Sequence, residues 1–166
     1  YATQMFAHTS SLQEVQLFNT SKVITMYMMF GCDYTSYDDS NLTTIPLFDT
    51  SNVTDMSGMF WHRHALNNVP LFDTSKVTDM SYMLAETALT TAPLFNTANV
   101  TDMHSMFEGC NALTTVPLFD TSKVTNISSM FNNCSSLATV PLFDTSNVTD
   151  ISNMFYNCSA LTTVPL

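Results

Sequence analysis

The residues with the greatest chemical potential in this sequence lie in its first half. Asp33, Tyr34, Tyr37, Asp38 and Asp39 make an acidic, aromatic stretch, followed by Trp61, His62, Arg63 and His64 and then by Tyr82. Trp61 and Arg63 are the only Trp and the only Arg among the 166 residues. Rigid aromatics beside Arg and carboxylates suit a protein hot spot or a carbohydrate-stacking site. His62 and His64 stand at i, i+2, which holds a metal only with ligands from elsewhere, so no metal site is assigned. No nucleophile stands beside a base and no phosphate-binding loop occurs, so neither enzymatic activity nor a cofactor is expected.

Composition narrows the partners. Asp and Glu number 14 against 4 Lys and Arg, a formal net charge of -10. Phosphate binding needs clustered Lys and Arg, so a nucleic-acid partner is excluded, as is docking on an anionic membrane. Only 11% of residues are charged while 45% are hydrophobic, against roughly 25% charged in an ordinary soluble domain. Ser, Thr and Asn must therefore supply most of the polar surface. No apolar run reaches the 18 or so residues of a membrane span.

What positions these residues is a repeat. The segment P-L-F-D-T or a variant begins at Gln16, Pro46, Pro70, Pro93, Pro117, Pro141 and Pro165, giving spacings of 30, 24, 23, 24, 24 and 24. The long interval holds a six-residue insertion within 31–41, and the short one a deletion near Ala85 to Thr87. All 12 Phe fall in two columns, one after Pro-Leu (Phe18 to Phe143) and one after Met (Phe6 to Phe155), with Leu84 taking one Phe place. Columns held this strictly imply stacked coils sharing one core.

Within a unit, L-T-T-V-P-L alternates as a short half-buried strand, with Leu113, Val116 and Leu118 inward and Thr115 and Pro117 outward. The repeated Pro removes one ladder hydrogen bond per coil. Val124, Ile127, Met130 and Phe131 are spaced as a short helical or 3-10 stripe on the opposite wall.

These motifs resemble a known family. L-x-x-L-x-L followed by x-x-T-x-x-V is similar to the leucine-rich repeat signature, and M-F-x-x-C-x-x-L-T-T-V resembles the A-F-x-x-C-x-x-L-x-x-I half of BspA-like leucine-rich repeats. The V-T-D-M-S-x-M-F-x-x-C wording looks like that of large bacterial surface proteins and some phage structural proteins. The resemblance covers essentially the whole chain. It implies an α/β repeat solenoid of about seven coils, with short parallel strands on one face and short helical turns on the other, roughly 30 Å long at the usual strand spacing. One departure is that Thr20, Thr50, Thr74, Thr97, Thr121 and Thr145 stand where the family places Asn or Cys, so a hydroxyl ladder must satisfy the turn.

The remaining columns read as structure. Cys110, Cys134 and Cys158 share a column, Cys32 lies one place early, and no C-x-x-C occurs, which favours buried free thiols over zinc binding or stacked disulfides. Asp49, Asp73, Asp120 and Asp144 form one acidic column, Asp55, Asp79, Asp102 and Asp150 another, and Asn replaces Asp in both. That interchange favours Asx turns and caps over Ca²⁺ binding. Lys22, Lys76 and Lys123 alternate with Asn52, Asn99 and Asn147, which spaces like charges apart. The N-V-T sequons follow from the repeat wording, and the Thr pairs, such as Thr114 and Thr115, lack the flat T-x-T array of an ice-binding face.

The expectation is one repeat domain over 1–166, a segment of a longer chain, acting as a surface recognition or adhesion module on a cell or virion. Its partner would be a protein or carbohydrate, bound where the repeat breaks, at Tyr34, Tyr37, Asp38, Asp39, Trp61, His62, Arg63, His64 and Tyr82. The alternative is a structural spacer with no ligand.

Overall fold

A computed structural model describes residues 1–9, 11–32 and 41–165. Each unit forms one coil, and residues about one unit apart in sequence are neighbours in space. The apolar columns fill the interior. Met59, Phe60, Met106, Phe107, Met130 and Phe131 are fully buried, as are Leu66, Leu113 and Leu137. Phe rings of one column stack from coil to coil, with centroids 5.3 Å apart for Phe6 and Phe30, 5.6 Å for Phe30 and Phe60, and 5.7 Å for Phe107 and Phe131. Leu84, fully buried, interrupts the stack between Phe60 and Phe107.

The α/β reading is overturned. Among the described residues no helix forms and no sheet forms, and the β-pairing between coils is limited to isolated parallel bridges such as Asp55 to Asp79 and Asp79 to Asp102. The stripe expected to be helical is buried as expected, but its backbone is not helical. In six coils two residues, four apart, adopt positive φ, namely Gln4 and His8, Gly58 and His62, Tyr82 and Glu86, Ser105 and Gly109, Ser129 and Asn133, and Asn153 and Asn157, while Met28 does so without a second residue four places on. A left-handed residue cannot continue a right-handed helix. Backbone N–H groups here alternate between two kinds of partner. Met56, Gly58, Phe60 and His62 donate to Asp79, Ser81, Met83 and Ala85 of the next coil, while Met59, Trp61 and Arg63 donate three residues back to Met56, Gly58 and Phe60. The same alternation recurs in successive coils, so overlapping turns are knitted into an inter-coil ladder.

The expected strand also fails: the backbone donors to the preceding coil on this wall include Thr114 and Ala138, and three residues on stand Pro117 and Pro141, which have no N–H to extend a ladder. What remains is single bridges, Thr91 to Thr115 and Thr139 to Thr163. Side-chain register shifts as well. Leu113 is buried and Val116 half-buried, but Leu118 is exposed and Phe119 takes the inward place.

Side chains close the turns between these segments. The hydroxyls of Thr20, Thr50, Thr74, Thr97 and Thr121 donate to the carbonyls of Asp49, Asp73, Asn96, Asp120 and Asp144 in the next coil, at 2.7 to 2.9 Å. This is the hydroxyl ladder that the departure from Asn or Cys required. Both acidic columns make Asx turns. Asp49 Oδ1 accepts the N–H and hydroxyl of Ser51, and Asp55 Oδ1 accepts those of Ser57. Asn19 and Asn126 do the same. Lys76 Nζ donates to Asn52 Oδ1 and Lys123 Nζ to Asn99 Oδ1, both at 2.7 Å, so the alternating column is a hydrogen-bonded ladder.

Candidate functional site

The outward turn of Leu118 belongs to a column. Leu17, Leu47, Leu71, Leu94, Leu118 and Leu142 are all exposed, between 58% and 64%, one to a coil. Pro-Leu-Phe places two large apolar residues in succession, and only one of two neighbours on an extended segment faces the core. Phe buries more surface, so Leu turns out. Two residues further on, the exposed carboxylates of Asp49, Asp73, Asp120 and Asp144 run beside the leucines. Their hydrogen bonds from Ser51, Ser75, Ser122 and Ser146 hold the carboxyls below the usual carboxylate pKa, so the row stays ionised at neutral pH. Shallow recesses of about 400 Å³ and 340 Å³ lie between successive ridge leucines, one lined by Leu17, Leu47, Asn19 and Asp49, the other by Leu118, Leu142, Asp120 and Asp144.

A second feature gathers some of the repeat-breaking residues. Trp61 packs against Tyr82 with ring centroids 4.9 Å apart, and Tyr82 meets His104 edge-on at 4.8 Å. With exposed Tyr27 and with Asp79 they line a recess of about 320 Å³. His62 and His64 approach Glu86 of the following coil, with His62 Nδ1 at 3.3 Å and His64 Nε2 at 3.8 Å from Glu86 Oε2. Tyr34, Tyr37, Asp38 and Asp39 lie outside the described residues.

Arg63 is not part of the surface patch in which the sequence reading placed it. Its side chain is fully buried, with Nε donating to the Phe30 carbonyl and Nη2 to the Phe6 carbonyl at 3.1 Å. The cysteine column explains why. Cys134 Sγ donates to the Phe107 carbonyl and Cys158 Sγ to the Phe131 carbonyl, each in the preceding coil. Cys110 Sγ does the same to Leu84. Arg63 occupies this column in its own coil and performs the same donation, then reaches one coil further back. Burial pushes its pKa down from the ordinary guanidinium value. All four cysteines are free. Burial raises the Cys110 thiol to about 11 and pushes Cys134 and Cys158 up as well.

Sequence reasoning missed the leucine ridge, Glu86, Tyr27 and His104. Signals for two of these existed. Leu stands beside Phe in every Pro-Leu-Phe, and Glu86 falls in register with His62 one coil earlier.

No curated protein and no solved structure matches this chain. A family model matches it twice, over residues 2–117 and 90–164, as a period of similar coils would produce. These overlapping matches span nearly all of the sequence, and the chain belongs to the repeat family described as Mycoplasma protein of unknown function, DUF285.

Proposed function

We propose that this chain is a non-enzymatic recognition module of a BspA-like surface protein, which binds a protein partner along the leucine ridge. The observation that carries this reading is the ridge itself: six large apolar side chains, one per coil, left in water beside a row of ionised carboxylates. Scattered exposed leucines need no explanation, but a contiguous apolar stripe with a polar rim is the usual mark of a protein interface. The partner would present apolar side chains flanked by Lys or Arg, complementing the Asp row and the net charge of -10. An extracellular setting agrees with the burial of three of the four thiols, Cys32, Cys110 and Cys134, which shields them from oxidation.

A second reading rests on the recess lined by Trp61, Tyr82 and Tyr27, whose rings suit the face of a sugar. One experiment separates the two. Wild type, a Leu71→Ser, Leu94→Ser, Leu118→Ser variant and a Trp61→Ala, Tyr82→Ala variant are screened against one panel of immobilised extracellular proteins and glycans. The ridge reading expects protein binding that is lost in the leucine variant, kept in the aromatic one and weakened by salt. Binding to no protein in the panel, or protein binding unchanged in the leucine variant, overturns it. Glycan binding lost only in the aromatic variant supports the second reading.

A further inference from the structure

The second left-handed position, present in six of the coils, forms a column of its own. It carries His8, His62, Glu86, Gly109, Asn133 and Asn157. In the later coils the column is an amide ladder, with Asn157 Nδ2 donating to Asn133 Oδ1 at 2.9 Å. In the middle coils it changes character. His62 and Glu86 occupy successive places, and His64, two residues after His62, turns back toward the same carboxylate. One ring nitrogen each from His62 and His64 and a Glu86 carboxylate oxygen all lie within 4.8 Å of one another.

We propose that His62, His64 and Glu86 form a binding site for a divalent transition-metal ion of the Zn²⁺ class, which clasps two adjacent coils. Two imidazoles and one carboxylate are the ligand set of a borderline cation, whereas Ca²⁺ and Mg²⁺ take oxygen ligands only. A tetrahedral Zn²⁺ at about 2.0–2.1 Å from each ligand atom keeps those atoms about 3.4 Å apart. His62 Nδ1 and Glu86 Oε2 already stand at 3.3 Å, and His64 Nε2 at 3.8 Å. The His64 side chain is 46% exposed, so its ring has room to move toward His62 and Glu86 and close the remaining gap. The fourth coordination position would face solvent and take water.

The neighbouring coil makes room for this arrangement. Gly109 follows Glu86 in the column, and a Cβ on Gly109 would come within 2.7 Å of Glu86 Cγ. An Asn there, as at positions 133 and 157, would therefore displace the carboxylate from its place beside the histidines. Glu86 also holds φ at 57°, a conformation that Gly or Asn adopts more readily than Glu. A simple polar column would have no use for either concession. Recruitment of Glu86 also supplies the ligand that the His62 and His64 spacing lacked.

Isothermal titration of the folded full-length chain with ZnCl₂, with Co²⁺ visible absorption as a second readout, tests the site. The expected result is saturable binding of one ion per chain and a thermal midpoint raised by several degrees. Glu86→Gln and His64→Ala should each weaken binding about tenfold or more, while His8→Ala leaves it unchanged. The Glu86→Gln, His64→Ala double variant keeps all four cysteines, so any thiol binding would persist there. Melting without metal shows whether the variants fold. Absence of saturable binding by wild type, or equal binding by the double variant, overturns the proposal, and either result leaves the ridge reading standing.

Discussion

Arg63 shows most clearly how one side chain is fixed by its place in a column. A buried guanidinium is costly unless its donors are met. Two carbonyls meet it here, Phe30 at Nε and Phe6 at Nη2, while Nη1 has no partner among the described residues; the Phe6 carbonyl also accepts the Thr9 hydroxyl, so Phe30 is the one that depends on Arg63. Removing the donor takes this bond from the buried Phe30 carbonyl, at about 1–3 kcal/mol. Arg63→Ala is therefore expected to lower the urea midpoint by the equivalent of about 2 kcal/mol or more. Arg63→Cys should recover part of that loss, because a thiol in this column reaches the preceding coil as Cys134 does. Equal stability of the two variants would contradict the shared-donor account. The residue types of the candidate site were legible in the sequence, but their exposure was not. Rarity marked Arg63 for function, whereas alignment to the Cys column would have marked it for the core.

At the scale of the element, the unit is a series of turns and not a strand followed by a helix. The apolar spacing of Val124, Ile127, Met130 and Phe131 was correctly read as one buried wall. It fits a helix equally well, and periodicity alone does not reveal the sign of φ. The left-handed places did leave a trace, since Gly and Asn recur at Gly58, Gly109, Asn133, Asn153 and Asn157. Ser129, at φ 55°, provides the test. Ser129→Val puts a β-branched residue in the left-handed region and is expected to cost about 1–2 kcal/mol in chemical unfolding, while Ser129→Gly should be neutral or stabilising. A tolerated valine would mean that the turn relaxes to another backbone. The strand reading failed for a related reason. Alternation was carried through Pro117 to Leu118, although the adjacent Phe119 competes for the same inward place.

For the whole molecule, the Thr, Asp and Phe columns were readable as stacked coils because each coil repeats the same solution. Titration should act on the stack as a unit. Asp49, Asp73, Asp120, Asp144 and Asp150 all have folded pKa values below their ordinary 3.8. The unfolded chain therefore binds more protons in acid, and this contribution to stability, present above 3.8, is lost as pH falls below it. Cys110 moves the other way, from 9.0 to about 11. The unfolded chain then releases its proton first, so stability declines as pH rises from 9 toward 11. Thermal midpoints across the pH range should show a plateau between these limits, and a midpoint still rising above pH 9 would contradict the buried thiols.

The reach of Arg63 across two coils has a consequence for assembly order. Units 117–140 and 141–164 are nearly the same sequence, so a collapsing chain slipped by one whole unit would find almost the same contacts. Periodic chains are prone to such misalignment, since nearest-neighbour packing alone does not count coils. Arg63 breaks the degeneracy. Seated one coil out of place, its guanidinium would still meet an equivalent carbonyl of the preceding coil, but its second donation would have to pass a column place such as those that Thr87, Cys110 and Cys134 fill. The chain's single arginine thus acts as an index mark, making one coil of the stack unlike its neighbours.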